Sequence, residues 1–399
     1  MDIQLSDRIK SIKPSPTLAV TAKAADLKAA GHDIIALGAG EPDFATPQHI
    51  KEAAIAAINA GFTHYTAVDG ISELKHAIID KLSRDNKLTY KPEQILISCG
   101  AKHSIFNLMQ ALLNPGDEVI VPAPYWVSFT DIAILSGATP VTIYAGIEQN
   151  FKITPAQLEK AITPKARMII MNSPSNPTGV CYTEEELAAL GAVLRKHPNI
   201  LIMCDDIYEK INWADFPFAN MLMACPDFYD RTVVVNGVSK TYAMTGWRIG
   251  YAAGPTTLIK AMVKMQSQST TNACSIAQKA AVAAINGDQT CIYLMTAEFK
   301  KRHDYVLAEL QSMPGIECLA ANGTFYVFFK VEGLIKKLNI SGVTNDTEFA
   351  EYLINEAGIA MVPGAAFGAP GYLRASIATS MEVLREAMRR LRGVTEKIS

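Results

Sequence analysis

A regular alternation of short apolar segments and helical patterns, which begins near residue 90, most constrains how this chain can fold. The apolar segments are rich in aliphatic and β-branched residues, and they predict strands at residues 95–98, 118–121, 167–171, 199–204 and 232–235. Strands that alternate with helices form βαβ units, which assemble into a mainly parallel sheet. The pattern therefore predicts an α/β fold.

Polar or glycine-containing clusters follow these predicted strands, which end near residues 99, 122, 171, 204 and 236. In an open α/β sheet, ligands bind outside the carboxyl ends of the strands. We therefore expect the clusters to meet in one crevice, whatever the ligand is.

Lys240 follows the last of these strands, after the turn signal Asn236-Gly237, and lies between Ser239 and Thr241. Taken alone, such a lysine is typical of a solvated loop. A lysine amine attacks a carbonyl only when its pKa falls below the usual value of about 10.4, or when it is already held as an imine. Small neighbours, and a second cation at Arg248, suit an aldehyde cofactor that carries a phosphate.

Three further positions suggest ligand contacts. The turn at Gly100 lies between a strand and a helix, where free N–H groups and the helix dipole favour a phosphate. Asp205 ends an apolar strand, so its carboxylate must be paired, neutralised or hydrated, and a protonated pyridine nitrogen is a suitable partner. Arg374 lies in an apolar strand at 372–378 and needs a carboxylate, either from the protein or from a ligand.

Composition excludes several classes of protein. The chain has 399 residues, enough for two domains, and its net charge of −2 argues against a nucleic-acid surface. The N-terminal residues contain no apolar signal segment, and prolines and charges interrupt the longest weakly charged stretch, so no membrane span is expected. Seven scattered cysteines without a CxxC motif favour reduced thiols in the cytoplasm, and the histidines show no metal-binding spacing.

Ser239-Lys240, followed by Gly246 and Arg248, resembles the lysine motif of the class I aminotransferases, which are pyridoxal-phosphate enzymes of fold type I. The resemblance extends from about residue 13 to the C-terminus and is nearest to the bacterial aspartate aminotransferase branch. It implies a large cofactor-binding domain at residues 46–295, with a mainly parallel sheet flanked by helices. Residues 1–45 and 296–399 would form an N-terminal arm and a smaller α+β domain.

The resemblance also implies a cofactor site for pyridoxal 5′-phosphate. Lys240 would hold the cofactor as an internal imine and move the substrate proton, while Asp205 would keep the ring nitrogen protonated and Tyr208 would donate to the ring oxygen. The family commonly has Glu where this chain has Asp206, a change that does not touch the ring contact. The remaining expected cofactor contacts are Gly100, Ala101, Lys102, Trp126, Asn176, Ser239, Arg248 and, from the neighbouring subunit, Tyr65. A tyrosine supplied by the neighbour implies a homodimer with shared active sites.

The implied reaction is ping-pong transfer of the amino group between L-aspartate and 2-oxoglutarate, which gives oxaloacetate and L-glutamate. Arg374 would bind the substrate α-carboxylate, with Asn176, Trp126 and the backbone at Gly40 beside it. Lys102 would bind the distal carboxylate of the substrate, and Lys13 is the weaker candidate for that contact. Aromatic, alanine or prephenate specificity, a β-lyase, and a non-enzymatic aminotransferase-like binding domain remain as alternatives.

Overall fold

The computed structural model describes residues 3–12, 14 and 16–397. The strands of the described chain are β1 (Ile35–Ala36), β2 (Ile95–Ser98), β3 (Glu118–Ala123), β4 (Thr139–Tyr144), β5 (Ala166–Asn172), β6 (Leu201–Asp205), β7 (Thr232–Gly237), β8 (Gly250–Ala253), β9 (Glu317–Cys318), β10 (Tyr326–Lys330), β11 (Ile359–Ala360), β12 (Val362–Pro363) and β13 (Tyr372–Ser376).

The α-helices of the same residues are α1 (Asp7–Lys10), α2 (Pro16–Ala29), α3 (Gln48–Asn59), α4 (Ser72–Asn86), α5 (Ala101–Leu112), α6 (Ser128–Leu135), α7 (Pro155–Ala161), α8 (Glu184–Leu194), α9 (Met221–Ala224), α10 (Thr256–Ser267), α11 (Ser275–Asn286), α12 (Thr290–Gln311), α13 (Glu332–Leu338), α14 (Asp346–Glu356) and α15 (Met381–Thr395). Short 3₁₀ turns occupy Pro92–Gln94, Ile147–Gln149, Pro226–Arg231, Thr245–Trp247 and Gly364–Phe367.

A seven-stranded sheet in the order β2-β8-β7-β6-β5-β3-β4 forms the centre of the fold. The pairings from β7 through β6, β5 and β3 to β4 are all parallel, and only β8 runs antiparallel to its neighbours β7 and β2. The five predicted strands are all present, with ends within two residues of the expected ones. The prediction of a mainly parallel α/β sheet is therefore confirmed.

Both faces of this sheet are covered, because successive side chains of a strand point to opposite faces. In β6, Ile202 and Cys204 pack into one apolar cluster with α4, α8 and α11, while Met203 packs into another with α5 and α10. Burial on both faces explains why these strands are apolar at nearly every position. It also leaves the carboxyl ends of the strands as the place where polar side chains emerge.

A second, antiparallel sheet has the order β12-β13-β10-β9 and packs against α12, α14 and α15. Its register places Phe328 of β10 opposite Arg374 of β13. A two-stranded parallel pairing joins β1 to β11, so the N-terminal part of the chain contacts the C-terminal part. The division into residues 46–295 and residues 1–45 with 296–399 stays a prediction.

The apolar periodicity over residues 276–311 predicts one continuous helix, but this prediction was wrong, since the structure has two helices there. Gly287 ends α11 in an extended conformation, and the side chain of Asp288 then accepts hydrogen bonds from the backbone N–H and the hydroxyl of Thr290, at 3.0 and 2.7 Å. Glycine followed by an aspartate that accepts hydrogen bonds from the first residue of the next helix is a signal for one helix to end and the next to begin.

The apolar segment at residues 360–362 predicts one strand, but this prediction was also wrong, because the chain changes sheets within it. Ala360 pairs with Ala36 of β1, whereas Val362 pairs with Arg374 of β13. An apolar run shows that a segment is buried but does not show which partner covers it. Among the described residues, no helix combines the length and the apolar character that crossing a membrane requires.

Candidate active site

A cavity of about 430 Å³ lies where the carboxyl ends of β5, β6 and β7 meet the second sheet and α2. It brings together most of the residues predicted from the sequence, namely Gly40, Ala101, Lys102, Trp126, Asn176, Asp205, Tyr208, Ser239, Lys240, Arg248 and Arg374. The expected crevice at the sheet edge is therefore present. Gly100 lies next to it, as the residue that precedes α5.

Lys240 lies in the loop after β7, and its Nζ donates a hydrogen bond to the carbonyl of Gly40. Burial lowers the pKa of Lys240 to about 8, and the nearby guanidinium groups of Arg248 and Arg374 add to this effect. A pKa this low leaves a substantial fraction of the amine neutral near physiological pH. The geometry thus supplies a nucleophilic amine inside a cavity.

Asp205 is the last residue of β6, and its side chain is buried. The carboxylate Oδ1 accepts one hydrogen bond, from the backbone N–H of Ile207 at 3.3 Å. Burial raises the pKa of Asp205 to about 7. A bound cation would lower this pKa again, so the position suits a protonated ring nitrogen.

The neighbouring carboxyl group of Asp206 points elsewhere and accepts from the amide Nδ2 of Asn220 at 2.6 Å. Burial, together with the charge of Glu209, raises the pKa of Asp206 well above its usual value. The Asp206 carboxyl group is absent from the cavity lining, so it belongs to the packing behind the site.

Arg374 is buried in β13, with 2% of its surface exposed. Its Nη1 donates to Asn176 Oδ1 at 3.0 Å and its Nη2 donates to the carbonyl of Gly38 at 2.8 Å, while its Nε has no partner. Among the described residues, no acidic side chain forms an ion pair with this guanidinium. The sequence predicts that Arg374 pairs with a carboxylate either of the protein or of a ligand. The described residues supply no such carboxylate, so the guanidinium is available to an anionic ligand.

A second anion-binding region lies at the N-terminus of α5. Gly100 has φ +86°, and a Cβ there would lie 2.3 Å from Nη2 of Arg248. The Arg248 guanidinium is held by the carbonyl of Thr245, at 2.7 Å from its Nη1. The N-terminal N–H groups of a twelve-residue helix and a fixed guanidinium are the features that bind a phosphate.

Trp126 and Lys102 form one wall of the cavity. The Lys102 Nζ lies 4.8 Å from the centroid of the Trp126 ring, and that ring packs edge-to-face on Phe129 at 5.3 Å. Neighbouring protein atoms displace water from Lys102 and lower its pKa, and Arg248 adds to this effect. Lys13, the other candidate for a distal carboxylate, lies outside the described residues.

Tyr65 does not line the cavity of its own chain, and 90% of its surface is exposed. Exposure is compatible with a contact to a neighbouring subunit but does not test one. The role of Tyr65 stays a prediction.

Sequence reasoning missed Tyr326, the first residue of β10. Its hydroxyl lies 3.2 Å from the hydroxyl of Tyr208, and its ring lies 4.3 Å from the guanidinium carbon of Arg374. In the sequence Tyr326 begins an apolar strand and is indistinguishable from a core residue. The antiparallel register of β10 with β13 was the missing information. Three residues of α2 that line the cavity were missed as well, namely Thr17, Leu18 and Thr21.

A buried lysine, an aspartate at a strand end, a helix N-terminus and an arginine without an acidic partner among the described residues are the features expected of an enzyme that handles amino groups with a phosphorylated cofactor. Residues 32–391 match the family model for class I and II aminotransferases, so the chain belongs to that family.

The curated relatives and solved structures agree with this family. An aspartate/prephenate aminotransferase of Nitrosomonas europaea is 57% identical over 392 residues, which cover 98% of this chain and 99% of that one. A protein with the same name from Cereibacter sphaeroides is 52% identical over 397 residues, 99% of each chain. The aspartate aminotransferase from Rhizobium meliloti superposes with a TM-score of 0.97 at 44% identity, over the whole of both chains. The Thermus thermophilus aspartate aminotransferase with maleate gives a TM-score of 0.92 at 40% identity, over 98% of this chain and 100% of that one. The chain is thus an aminotransferase with the fold of these enzymes.

Proposed function

We propose that this aminotransferase uses pyridoxal 5′-phosphate to exchange the amino group between L-aspartate and 2-oxoglutarate. The observation that carries the proposal is the buried Arg374, which lies in the same cavity as Lys240 and has no acidic partner among the described residues. A buried guanidinium without a carboxylate is costly, and a substrate carboxylate removes that cost. The names of the relatives from Nitrosomonas europaea and Cereibacter sphaeroides support aspartate as the amino donor.

The residues of the cavity fit the cofactor. Lys240 would hold the aldehyde of the cofactor covalently, through its Nζ. The N–H groups at Gly100 and Ala101, the hydroxyl of Ser239 and the guanidinium of Arg248 would bind the phosphate. The remaining contacts would come from Asp205 to the ring nitrogen, from Tyr208 and Asn176 to the ring oxygen, and from Trp126 to the ring face.

When bound, pyridoxal phosphate supplies an electron sink conjugated to the substrate α-carbon. Asp205 would hold the proton on the ring nitrogen and so maintain that sink. The Nζ of Lys240 would act as general base for the proton on the substrate α-carbon and afterwards as general acid. A lysine pKa of about 8 suits both steps, because each protonation state is accessible near neutral pH.

Arg374 binds the α-carboxylate, with Asn176 and the backbone at Gly40 beside it, and it fixes the α-carbon next to Lys240. Lys102 binds the distal carboxylate of aspartate, and Lys13 is a second candidate for that contact. The Lys102 ammonium lies over the Trp126 ring and the Arg374 guanidinium lies over the Tyr326 ring, and both side chains line the cavity. Two cations at separate positions select a dicarboxylic substrate.

A homodimer completes the site through Tyr65 of each neighbouring chain. Large apolar side chains are exposed near the C-terminal end of α3, in the loop that follows it and near the start of α12, and such exposure supports a partner. They are Ile55, Ile58, Tyr65, Tyr293 and Leu294. A cytoplasmic location and the absence of nucleic-acid and membrane partners stay predictions from the sequence.

The absorbance spectrum of the purified protein, before and after L-aspartate is added, tests the proposal. We expect a visible band that aspartate converts to a near-ultraviolet band, and Lys240→Ala should lose turnover while it keeps its fold. A protein without a visible band after incubation with pyridoxal phosphate, or an active Lys240→Ala variant, would contradict the proposal. A band that responds only to another amino acid would keep the chemistry and change the substrate.

Prephenate is a second candidate acceptor, since the relatives from Nitrosomonas europaea and Cereibacter sphaeroides are named for it together with aspartate. With prephenate in place of 2-oxoglutarate, continued consumption of aspartate would support that activity. No turnover with prephenate, in a sample that is active with 2-oxoglutarate, would exclude it.

A further inference from the structure

The loop before β10 joins the second sheet to the loops that follow β5 and β6. Within it, the backbone N–H groups of Asn322 and Gly323 both donate to the carbonyl of Gly179, at 2.9 and 3.0 Å. The N–H of Thr324 donates to the carbonyl of Ile211 at 2.9 Å. The loop is therefore hydrogen-bonded on one side to the loop after β5 and on the other to the loop after β6.

Asn322 contributes more of these bonds than its neighbours. Its carbonyl accepts from the backbone N–H of Trp213 at 2.7 Å, and its side-chain Oδ1 accepts from the backbone N–H of Cys181 at 3.2 Å. Together with the bond to Gly179, one residue thus bridges three positions on the two loops. Only the bond to Cys181 uses the side chain, so a substitution can remove it without changing the others.

The backbone of the Asn322 loop is in direct contact with the loops after β5 and β6. We call this contact region, around Gly179, Ile211 and Gly323, the seam. Gly179 has φ +70°, and a Cβ there would lie 2.6 Å from both the Cβ of Ala321 and the carbonyl oxygen of Gly323. A Cβ on Gly323 would lie 2.4 Å from the carbonyl oxygen of Ile211. Because no space separates the loops, a displacement of one must move the other.

The seam lies between two residues of the candidate site. Asn176 precedes Gly179 in the loop after β5, and Arg374 lies opposite Phe328 of β10, the strand into which the Asn322 loop leads. The Nη1 of Arg374 donates a hydrogen bond of 3.0 Å to Asn176 Oδ1, so the loop after β5 and the second sheet are also joined within the site. The separation of these two side chains therefore depends on how the Asn322 loop packs against Gly179.

We propose that Asn322 is a positioning residue for the carboxylate site formed by Asn176 and Arg374; that the ligand there is the α-carboxylate of an amino acid rests on the function proposed above. Asn322 does not touch the substrate. It holds the loop that carries Asn176 at a fixed distance from the sheet that carries Arg374.

The test compares three variants of the holoenzyme. Asn322→Ala removes the acceptor for Cys181 and should raise the KM for L-aspartate about tenfold, because a small misplacement of a binding group weakens binding strongly. The kcat, and the dissociation constant of pyridoxal phosphate, should change much less than the KM, since Lys240 and the phosphate contacts are unchanged and Asn176 supplies only one of the proposed cofactor contacts. Asn322→Asp keeps the acceptor and should restore most of the affinity.

Asn345→Ala is the matched control. The Asn345 side chain accepts from the backbone N–H groups of Thr347 and Glu348, both at 3.0 Å, and caps α14 away from the seam. It should lower the melting temperature but leave the KM unchanged, so a loss of stability alone is distinguished from a loss of positioning.

An unchanged KM in Asn322→Ala, or an equal rise in Asn345→Ala, would overturn the proposal. A crystal structure of Asn322→Ala in which Asn176 and Arg374 keep their separation would also overturn it, whatever the activity. The activity of the wild-type protein tests the proposed function separately. If the proposed function is wrong, the wild-type protein shows no turnover of L-aspartate, before any variant is compared.

Discussion

Replacement of Arg374 by lysine tests whether the buried guanidinium binds a substrate carboxylate. Its Nη1 and Nη2 donate to Asn176 and Gly38, and its Nε has no partner. An incoming carboxylate can therefore accept hydrogen bonds from the planar guanidinium. Lysine keeps the charge but offers no fork. The loss of one charge-assisted hydrogen bond costs about 1.5–3 kcal/mol, which corresponds to a fall of roughly 10- to 150-fold in kcat/KM.

The assay is the single-turnover reaction of the holoenzyme with L-aspartate, followed by the loss of the visible cofactor band. The matched control is Arg302→Lys. Arg302 is also a buried arginine, but it pairs with Asp43 at 2.8 Å and is absent from the cavity lining. We expect the control to lower stability and to leave kcat/KM nearly unchanged. A change of less than about threefold in Arg374→Lys, or an equal loss in both variants, would refute the argument, since one fork bond alone predicts at least tenfold.

Three further variants test other parts of the site. Burial raises the pKa of Asp205 from 3.8 to about 7 in the cofactor-free protein, so the folded state holds this proton more tightly than the unfolded state and stability falls as the pH rises through that window. Asp205→Asn should therefore gain in melting temperature over the wild type between pH 4 and 7, and a constant difference would contradict the shift. Lys102→Ala should raise the KM for aspartate about tenfold and that for phenylalanine little, because only aspartate carries a distal carboxylate. An equal effect on both substrates would show that Lys102 does not recognise the distal carboxylate. Gly100→Ala should weaken the binding of pyridoxal phosphate, measured by absorbance titration, at least tenfold, because its Cβ would lie 2.3 Å from Arg248, whereas Gly246→Ala, with nothing within 4 Å of the new Cβ, should bind normally. Equal affinities in the two glycine variants would contradict the phosphate site.

The sequence carried most of the information about the large sheet and the crevice. Strands buried on both faces are continuous apolar runs, and the residues that end them, such as Asp205 and Asn172, are polar where the sheet stops. Local signals therefore place these residues at one edge of the sheet. Lys240 needed only the position of the preceding strand, because the loop after a parallel strand opens at that same edge.

Features that depend on distant pairing could not be predicted in this way. Tyr326 reaches the site because β10 pairs with the strand of Arg374, and the sequence does not state that register. The change of sheets at Met361 has the same origin, since both halves of the segment are equally apolar. Lys13 and Tyr65 remain predictions, because the first lies outside the described residues and the second depends on a neighbouring chain.

The pairing of β1 with β11 has a consequence for synthesis on the ribosome. Ile35 emerges early, but its partner Ile359 emerges only when nearly all of the chain has been made. At about 5–20 residues per second, the N-terminal strand waits for tens of seconds without its partner. During that time the central sheet, whose strands lie between residues 95 and 253, can complete its pairing. The N-terminal arm is therefore one of the last parts of the chain to dock. Until it docks, β1 is an exposed strand edge that nascent-chain chaperones can bind.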